Sequence, residues 1–194
     1  IKAYERDGTS FDNKPEKNTL LEELETTNIY GKVIVDMGGG LGSNYINYSN
    51  FFKDNNCIYY VVEQENFIEK GNEISNKYNL NLNFRKDLSE INENIDIIIC
   101  SSFLQYIKNW KKIVSEIKEK RPQSIFVDRH PLTNKDSKIL VQLNTGYYKK
   151  NVTYPLHIVN EEEFTKEFKP YVSLKRWDSD FDPPYFKGFH FRSD

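Results

Sequence analysis

The sequence predicts an α/β domain in which crossover helices join the strands of a parallel sheet. Three observations carry this reading. From residue 33 to about 128, short β-branched runs alternate with amphipathic stretches at helical spacing. The run Ile95-Asp96-Ile97-Ile98-Ile99-Cys100 is apolar almost without a break, as a strand covered on both faces must be. The first strand then runs straight into an acidic residue and a glycine-rich turn.

Taken in order, Thr19-Leu20-Leu21-Glu22 reads as a capping box opening a helix, hydroxyl and carboxylate each satisfying a backbone donor. Strands follow at 33–36, 58–62, 82–84, 95–100 and 125–127. Between them Phe67, Gly71, Ile74 and Tyr78 share one helical face, and Trp110, Ile113, Val114 and Ile117 give an unbroken i, i+3, i+4, i+7 set. The polar, Tyr-rich stretch 133–155 holds little regular pattern and predicts an irregular insert; with 133–157 it is assigned to the active site, because long inserts in compact domains are usually functional. Asn160 caps a short helix whose acidic start, Glu161-Glu162-Glu163, suits the positive end of the helix dipole. Two last strands, 172–177 and 187–191, flank the Pro183-Pro184 turn.

Composition narrows the function classes. The 194 residues fit one domain spanning 1–194, since single cores stop growing at about 250 residues, and 13 Tyr with 13 Phe supply side chains large enough to fill it. Lys and Arg total 27 against 29 Asp and Glu, a net charge of −2, so no broad basic surface for nucleic acid is expected. No run of 18 apolar residues and no signal-like start is present, which predicts neither a membrane span nor a signal peptide. The chain begins at Ile1, so a preceding N-terminal piece is expected. Cys57 and Cys100 are too few for a disulfide framework or a zinc site; a reducing cytoplasm is the expected compartment and no metal is expected.

The segment that carries chemistry is Val33-Ile34-Val35-Asp36-Met37-Gly38-Gly39-Gly40-Leu41-Gly42-Ser43-Asn44-Tyr45. A dinucleotide fingerprint, G-x-G-x-x-G, would need glycine where Ser43 stands, and no Gly-Lys-Ser or Gly-Lys-Thr follows to make a phosphate-binding loop. What remains is D-x-G-x-G-x-G. The second strand ends in Glu63, where a carboxylate can accept both hydroxyls of a ribose; the same placement serves NAD, so Glu63 by itself leaves both cofactors open.

The D-x-G-x-G-x-G spacing resembles the first motif of class I S-adenosylmethionine-dependent methyltransferases. The resemblance implies that Gly38, Gly39, Gly40 and Gly42, with Tyr45, form a turn against the methionine part of S-adenosylmethionine. It implies that Asp36 favours the ammonium group, and that Glu63 and Gln64 meet the ribose. Asp87, with the Leu88 backbone, falls where the class holds the adenine amino group, although Asp87 equally reads as the cap of a turn into Leu88-Ser89-Glu90. Ser101, Ser102 and Gln105, within Ser101-Ser102-Phe103-Leu104-Gln105-Tyr106, would line the cleft. Together with Tyr4-Glu5-Arg6-Asp7, Asp128-Arg129-His130-Pro131-Leu132 and Tyr154-Pro155, these segments resemble a family of bacterial methyltransferases encoded among capsule and O-antigen polysaccharide genes. That narrower resemblance implies a Rossmann-like, seven-stranded, mostly parallel sheet with helices on both faces and an antiparallel C-terminal pair. It also implies a small-molecule acceptor on a surface-glycan sugar, and S-adenosylhomocysteine as product.

Methyl transfer from a sulfonium is an in-line displacement governed by alignment, and a hydroxyl acceptor needs a base for its proton. His130, just beyond the fifth strand, is the first candidate, with Asp128 and Tyr106 in reserve. His157 lies in the insert, and His190 within the last strand faces solvent or core. Arg129 and Arg6 either hold a phosphate, nucleotide or phosphoramidate group on the acceptor or make surface ion pairs. Tyr148, Tyr154 and His157 would cover the site and meet the sugar. Two other readings stay open: an NAD-dependent Rossmann oxidoreductase, and a non-catalytic partner in glycan assembly.

Overall fold

The computed structural model describes residues 19–144, 151–179 and 186–193. Helix α1 (Thr19–Glu25) leads to β1 (Val33–Met37), and α2 (Ser43–Asn47) and α3 (Ser49–Asp54) lead to β2 (Ile58–Val62). Helix α4 (Glu65–Lys77) crosses to β3 (Leu82–Arg85), and a single 3-10 turn, Leu88–Glu90, precedes β4 (Ile97–Ser101). A second 3-10 turn, Leu104–Tyr106, comes before α5 (Trp110–Glu119) and the long strand β5 (Ser124–Thr133). Then follow β6 (Lys138–Asn144), β7 (Val152–Asn160), α6 (Glu161–Glu167), β8 (Val172–Asp178) and β9 (Phe186–Arg192).

Strands run in the order β3-β2-β1-β4-β5, all parallel, and β9 then pairs antiparallel with β5 and with β8. The expected α/β fold with an antiparallel C-terminal pair is therefore present. Parallel strands must be covered on both sides, and the central run does this by alternation. Ile97 and Ile99 join Ile34, Tyr59 and Phe126 on one face, with Leu20 and Leu24 of α1 and Phe52 of α3 over them. Ile98 and Cys100 join Val35 and Val127 on the other, beneath Val114 and Ile117 of α5 and Phe164 of α6. Asn160 caps α6 as expected, its side chain accepting the backbone N–H of Glu162 and of Glu163 at 3.0 and 3.1 Å. Among the described residues no helix is long and apolar enough to cross a membrane.

The insert is where expectation and structure part. Among the described residues of 133–155 most are regular: β5 runs on to Thr133, and β6 and β7 form an antiparallel pair that sets Val141 opposite Pro155 and Gln142 opposite Tyr154. The hairpin joins the sheet through the last residues of β5, Leu132 opposite Val159 and Thr133 opposite Asn160, giving nine strands among the described residues where seven were expected. The pattern was hidden because β6 is exposed or half-exposed along its whole length, so no period-two burial marks it, and because Pro155 reads against a strand interior.

Candidate active site

The carboxyl ends of β1 and β4 form the point where strand order reverses, with β2 on one side of β1 and β4 on the other. In open sheets of this kind, ligands sit in the crevice beyond such ends. Asp36, on β1, is fully buried there. One carboxylate oxygen, Oδ2, accepts the Asn44 side-chain N–H at 3.0 Å and the Tyr59 hydroxyl at 3.1 Å. The other, Oδ1, has no donor among the described residues. Burial pushes the Asp36 pKa up to about 6, against the opposing pull of Asn44, Tyr59 and the Arg129 guanidinium.

The glycine turn follows at once, and its members are glycine for different reasons. A Cβ on Gly39 would stand 2.6 Å from the Asp36 carboxyl carbon; one on Gly38 would overlap the Phe103 ring, and one on Gly42 the Leu82 side chain. Gly40 has φ +59°, a left-handed conformation that disfavours side chains, and open space where a Cβ would project. Thus Gly42 serves helix-to-strand packing, and Gly40 is the member that leaves room beside the turn. Tyr45 does not belong to the cleft. It is buried, stacks on Phe52 at 5.7 Å and accepts the Asn81 backbone N–H through its hydroxyl at 3.2 Å, one helical turn carrying its ring into the core.

At the end of β2, half-buried Glu63 accepts the Gln64 N–H at 2.6 Å, and burial raises its pKa. Gln64 itself is exposed at the start of α4. Asp87 acts as a cap: it accepts the Ser89 N–H at 2.8 Å, which holds its pKa low, while the Leu88 side chain is core.

Across β4 and β5 a polar chain continues the row begun by Asp36. Asp128 accepts the Trp177 indole N–H at 3.0 Å on Oδ1, and Ser101 Oγ lies 3.4 Å from Oδ2. Ser101 Oγ in turn accepts Arg129 Nε and Nη2 at 3.1 and 2.8 Å. Arg129 sits in a bulge with φ +53°, its carbonyl accepting the side-chain N–H of buried Gln105 at 3.0 Å, and Ser102, at φ +50°, donates its N–H to the Asp128 carbonyl at 2.9 Å. Gln105 Oε1, like Asp36 Oδ1, is buried with no donor among the described residues. Tyr106 meets Tyr154 of β7 edge-to-face, with centroids 5.3 Å apart, so β7 packs against the 3-10 turn that follows β4.

His130 is the principal correction. It is fully buried, stacks on Phe164 at 4.3 Å, and neither ring nitrogen has a partner among the described residues; burial, with His157 nearby, lowers its pKa to about 3. A ring in this setting has no access to an acceptor's proton. The cause is the bulge. Without its extra residue, His130 would continue the face of Phe126 and Asp128; the register shift between Val127 and His130 turns it onto the face of Val127. His157 is buried in β7 beside it, and His190 stacks on Phe126 at 4.2 Å with its Nε2 3.0 Å from Ser124 Oγ. Arg6 and Tyr148 lie outside the described residues.

Sequence reasoning missed Tyr59 and Trp177. Tyr59 looked like one more apolar strand residue, and nothing local ties Trp177 to Asp128, which is 49 positions away.

No family model matches this sequence, and no curated protein matches it. Solved structures do. An S-adenosylmethionine-dependent methyltransferase from Clostridium acetobutylicum ATCC 824 aligns with TM-score 0.69 at 12% identity, over 98% of this chain and 96% of its own. The CcbJ methyltransferase from Streptomyces caelestis aligns with TM-score 0.66 at 10% identity, over 100% and 96%. The N-terminal domain of EvdMO1, solved in the presence of S-adenosylhomocysteine and D-fucose, aligns with TM-score 0.61 at 9% identity, over 93% and 85%. The chain therefore has the Rossmann-like fold of the class I S-adenosylmethionine-dependent methyltransferases.

Proposed function

We propose that this chain is a cytoplasmic methyltransferase that uses S-adenosylmethionine and transfers the methyl group to an oxygen of a carbohydrate or a carbohydrate-linked group. The observation that carries the reading is Asp36: a buried carboxylate with one oxygen lacking a donor among the described residues, set against a turn that leaves open space at Gly40. An orphaned anionic oxygen in a buried setting calls for a cationic donor. The ammonium of the methionine moiety fits it, whereas the diphosphate of NAD would meet like charge. Glu63, half-buried at the next strand end, fits the ribose hydroxyls. When bound, the cofactor supplies an electrophilic methyl on a sulfonium and leaves as S-adenosylhomocysteine.

The residues of this chain then bind, orient and receive a proton. Gly38, Gly39 and Gly40 set the turn, and Ser101, Ser102 and Gln105 shape the floor between donor and acceptor. For a hydroxyl acceptor, the Asp128 carboxylate, or Tyr106 once ionised to its phenolate, takes the proton, and the full burial of His130 speaks against it as the base. Arg129 presents a partly exposed guanidinium whose ion pair with Asp128 is long, at 3.4 Å, which favours an anionic group on the acceptor, such as a phosphate or phosphoramidate; an already ionised oxygen needs no base. Tyr106 and Tyr154 offer aromatic surface for a sugar ring. D-fucose with the EvdMO1 domain supports a sugar acceptor by analogy of fold, and the resemblance to methyltransferases of capsule and O-antigen gene clusters points the same way.

Calorimetric titration with S-adenosylmethionine, S-adenosylhomocysteine and NAD tests the proposal without an acceptor in hand. Saturable binding of the two sulfur ligands, with NAD inert, is the expected result. Binding of NAD alone would replace the reading with an oxidoreductase, and donor binding without turnover on any glycan or phosphoramidate acceptor would leave a non-catalytic partner.

A further inference from the structure

Every open sheet has edges, and soluble proteins guard them with charge, bulges, short strands or covering elements. Among the described residues the sheet has three edge strands, and two of them are guarded. Strand β3 has only four residues and carries Arg85. Strand β8 carries a register irregularity between Ser173 and Lys175, and its Lys175 and Arg176 are paired with Glu23 and Glu161.

Strand β6 differs. Among the described residues it pairs with β7 alone, and after Lys138 its sequence Ile139-Leu140-Val141-Gln142-Leu143 contains no charge, no proline and no glycine. It also shows no register shift against β7. Ile139, Val141 and Leu143 alternate onto one face and are 62%, 76% and 55% exposed, values that make this the most apolar open surface of the hairpin.

The order of residues says what fits. About a two-fold axis through Val141, an antiparallel copy of the same strand places Ile139 opposite Leu143, Leu140 opposite Gln142, and Val141 opposite itself. Lys138 falls opposite position 144, so the two lysines stay apart and no like charges meet. Cross-strand apolar pairs of this kind are the unit of sheet stabilisation, and a self-complementary patch is what a two-fold interface requires. We infer that β6 is the edge through which two copies of this chain pair, joining their hairpins into one four-stranded antiparallel sheet. The opposite edge of each hairpin carries Tyr154 to Tyr106, so pairing would also steady that contact.

The test is sedimentation equilibrium over a wide micromolar range, with Val141→Lys and Val141→Asp studied separately and mixed. The wild-type chain is expected at twice its 23.0 kDa mass. Each variant places two like charges across the axis and is expected to sediment as a monomer, and the equimolar mixture to regain the doubled mass. Hydrogen exchange adds a readout that needs no substitution: protection of the amides at 139–143 should rise with protein concentration. A wild-type monomer throughout the range overturns the inference, as does a dimer that survives both substitutions. Protection that is independent of concentration overturns it too, and so does protection gained only when anionic phospholipid vesicles are added, which would identify a lipid surface as the occupant. None of these outcomes depends on cofactor binding.

Discussion

Burying Asp36 has a cost that depends on pH. Its pKa is about 6 in the folded chain against an ordinary 3.8, so the folded state carries the full penalty of a buried charge above pH 6. The penalty shrinks as pH falls and is gone below 3.8; at neutral pH it is about 3 kcal/mol. Asp36→Asn, which keeps an acceptor for Asn44 and Tyr59, is therefore expected to raise the midpoint of chemical denaturation at pH 7.5, with little gain near pH 4, while abolishing S-adenosylmethionine binding in calorimetry. His130 works in the opposite direction. Its pKa is lowered to about 3 from 6.5, so the unfolded chain takes up a proton below pH 6.5 that the folded chain refuses. By pH 5 this costs about 2 kcal/mol of stability. His130→Phe, which preserves the stack on Phe164, is expected to remove that acid sensitivity and to leave turnover within a few-fold; a collapse of turnover in a folded variant would restore His130 as the base.

Two short elements build the site, the glycine turn after β1 and the bulge in β5. In the turn, Gly40 differs from its neighbours because its side-chain position opens into space instead of protein. Gly40→Val should therefore lower S-adenosylmethionine affinity by tenfold or more, about 1.4 kcal/mol, with an added loss of stability of about 1–3 kcal/mol from the left-handed backbone. Glu63→Ala is expected to lose comparable affinity with no loss of fold, both read by the same titration. Stability lost in step with affinity would instead make Glu63 a structural residue. In the bulge, one added residue leaves Arg129 partly exposed and turns His130 into the core. This is why the motif order in the sequence was a poor guide to which side chain stays accessible: the period-two alternation that assigns faces along a strand is broken between Val127 and His130.

At the scale of the whole molecule, Trp177 ties the C-terminal strands to the site. Its indole N–H donates to Asp128 Oδ1 at 3.0 Å, so Trp177→Phe removes a buried hydrogen bond to a carboxylate and should cost about 1–3 kcal/mol. Urea denaturation measures this, and an unchanged midpoint would mean that another donor has replaced the indole. The sequence by itself determined the layered α/β architecture, because a parallel strand covered on both faces must read as a continuous apolar run and its crossover helices as periodic ones. It also located the acidic residue, the glycine turn and Glu63, which stand at strand ends a few residues from their own elements. Only the tertiary structure decided which of Arg129 and His130 is buried, that Asp87 is a cap and Tyr45 a core ring, and that the described parts of the Tyr-rich insert pair as two strands. Those outcomes depend on a bulge, on partners far along the chain, and on a strand with no buried face, none of which leaves a periodic trace in the order of residues.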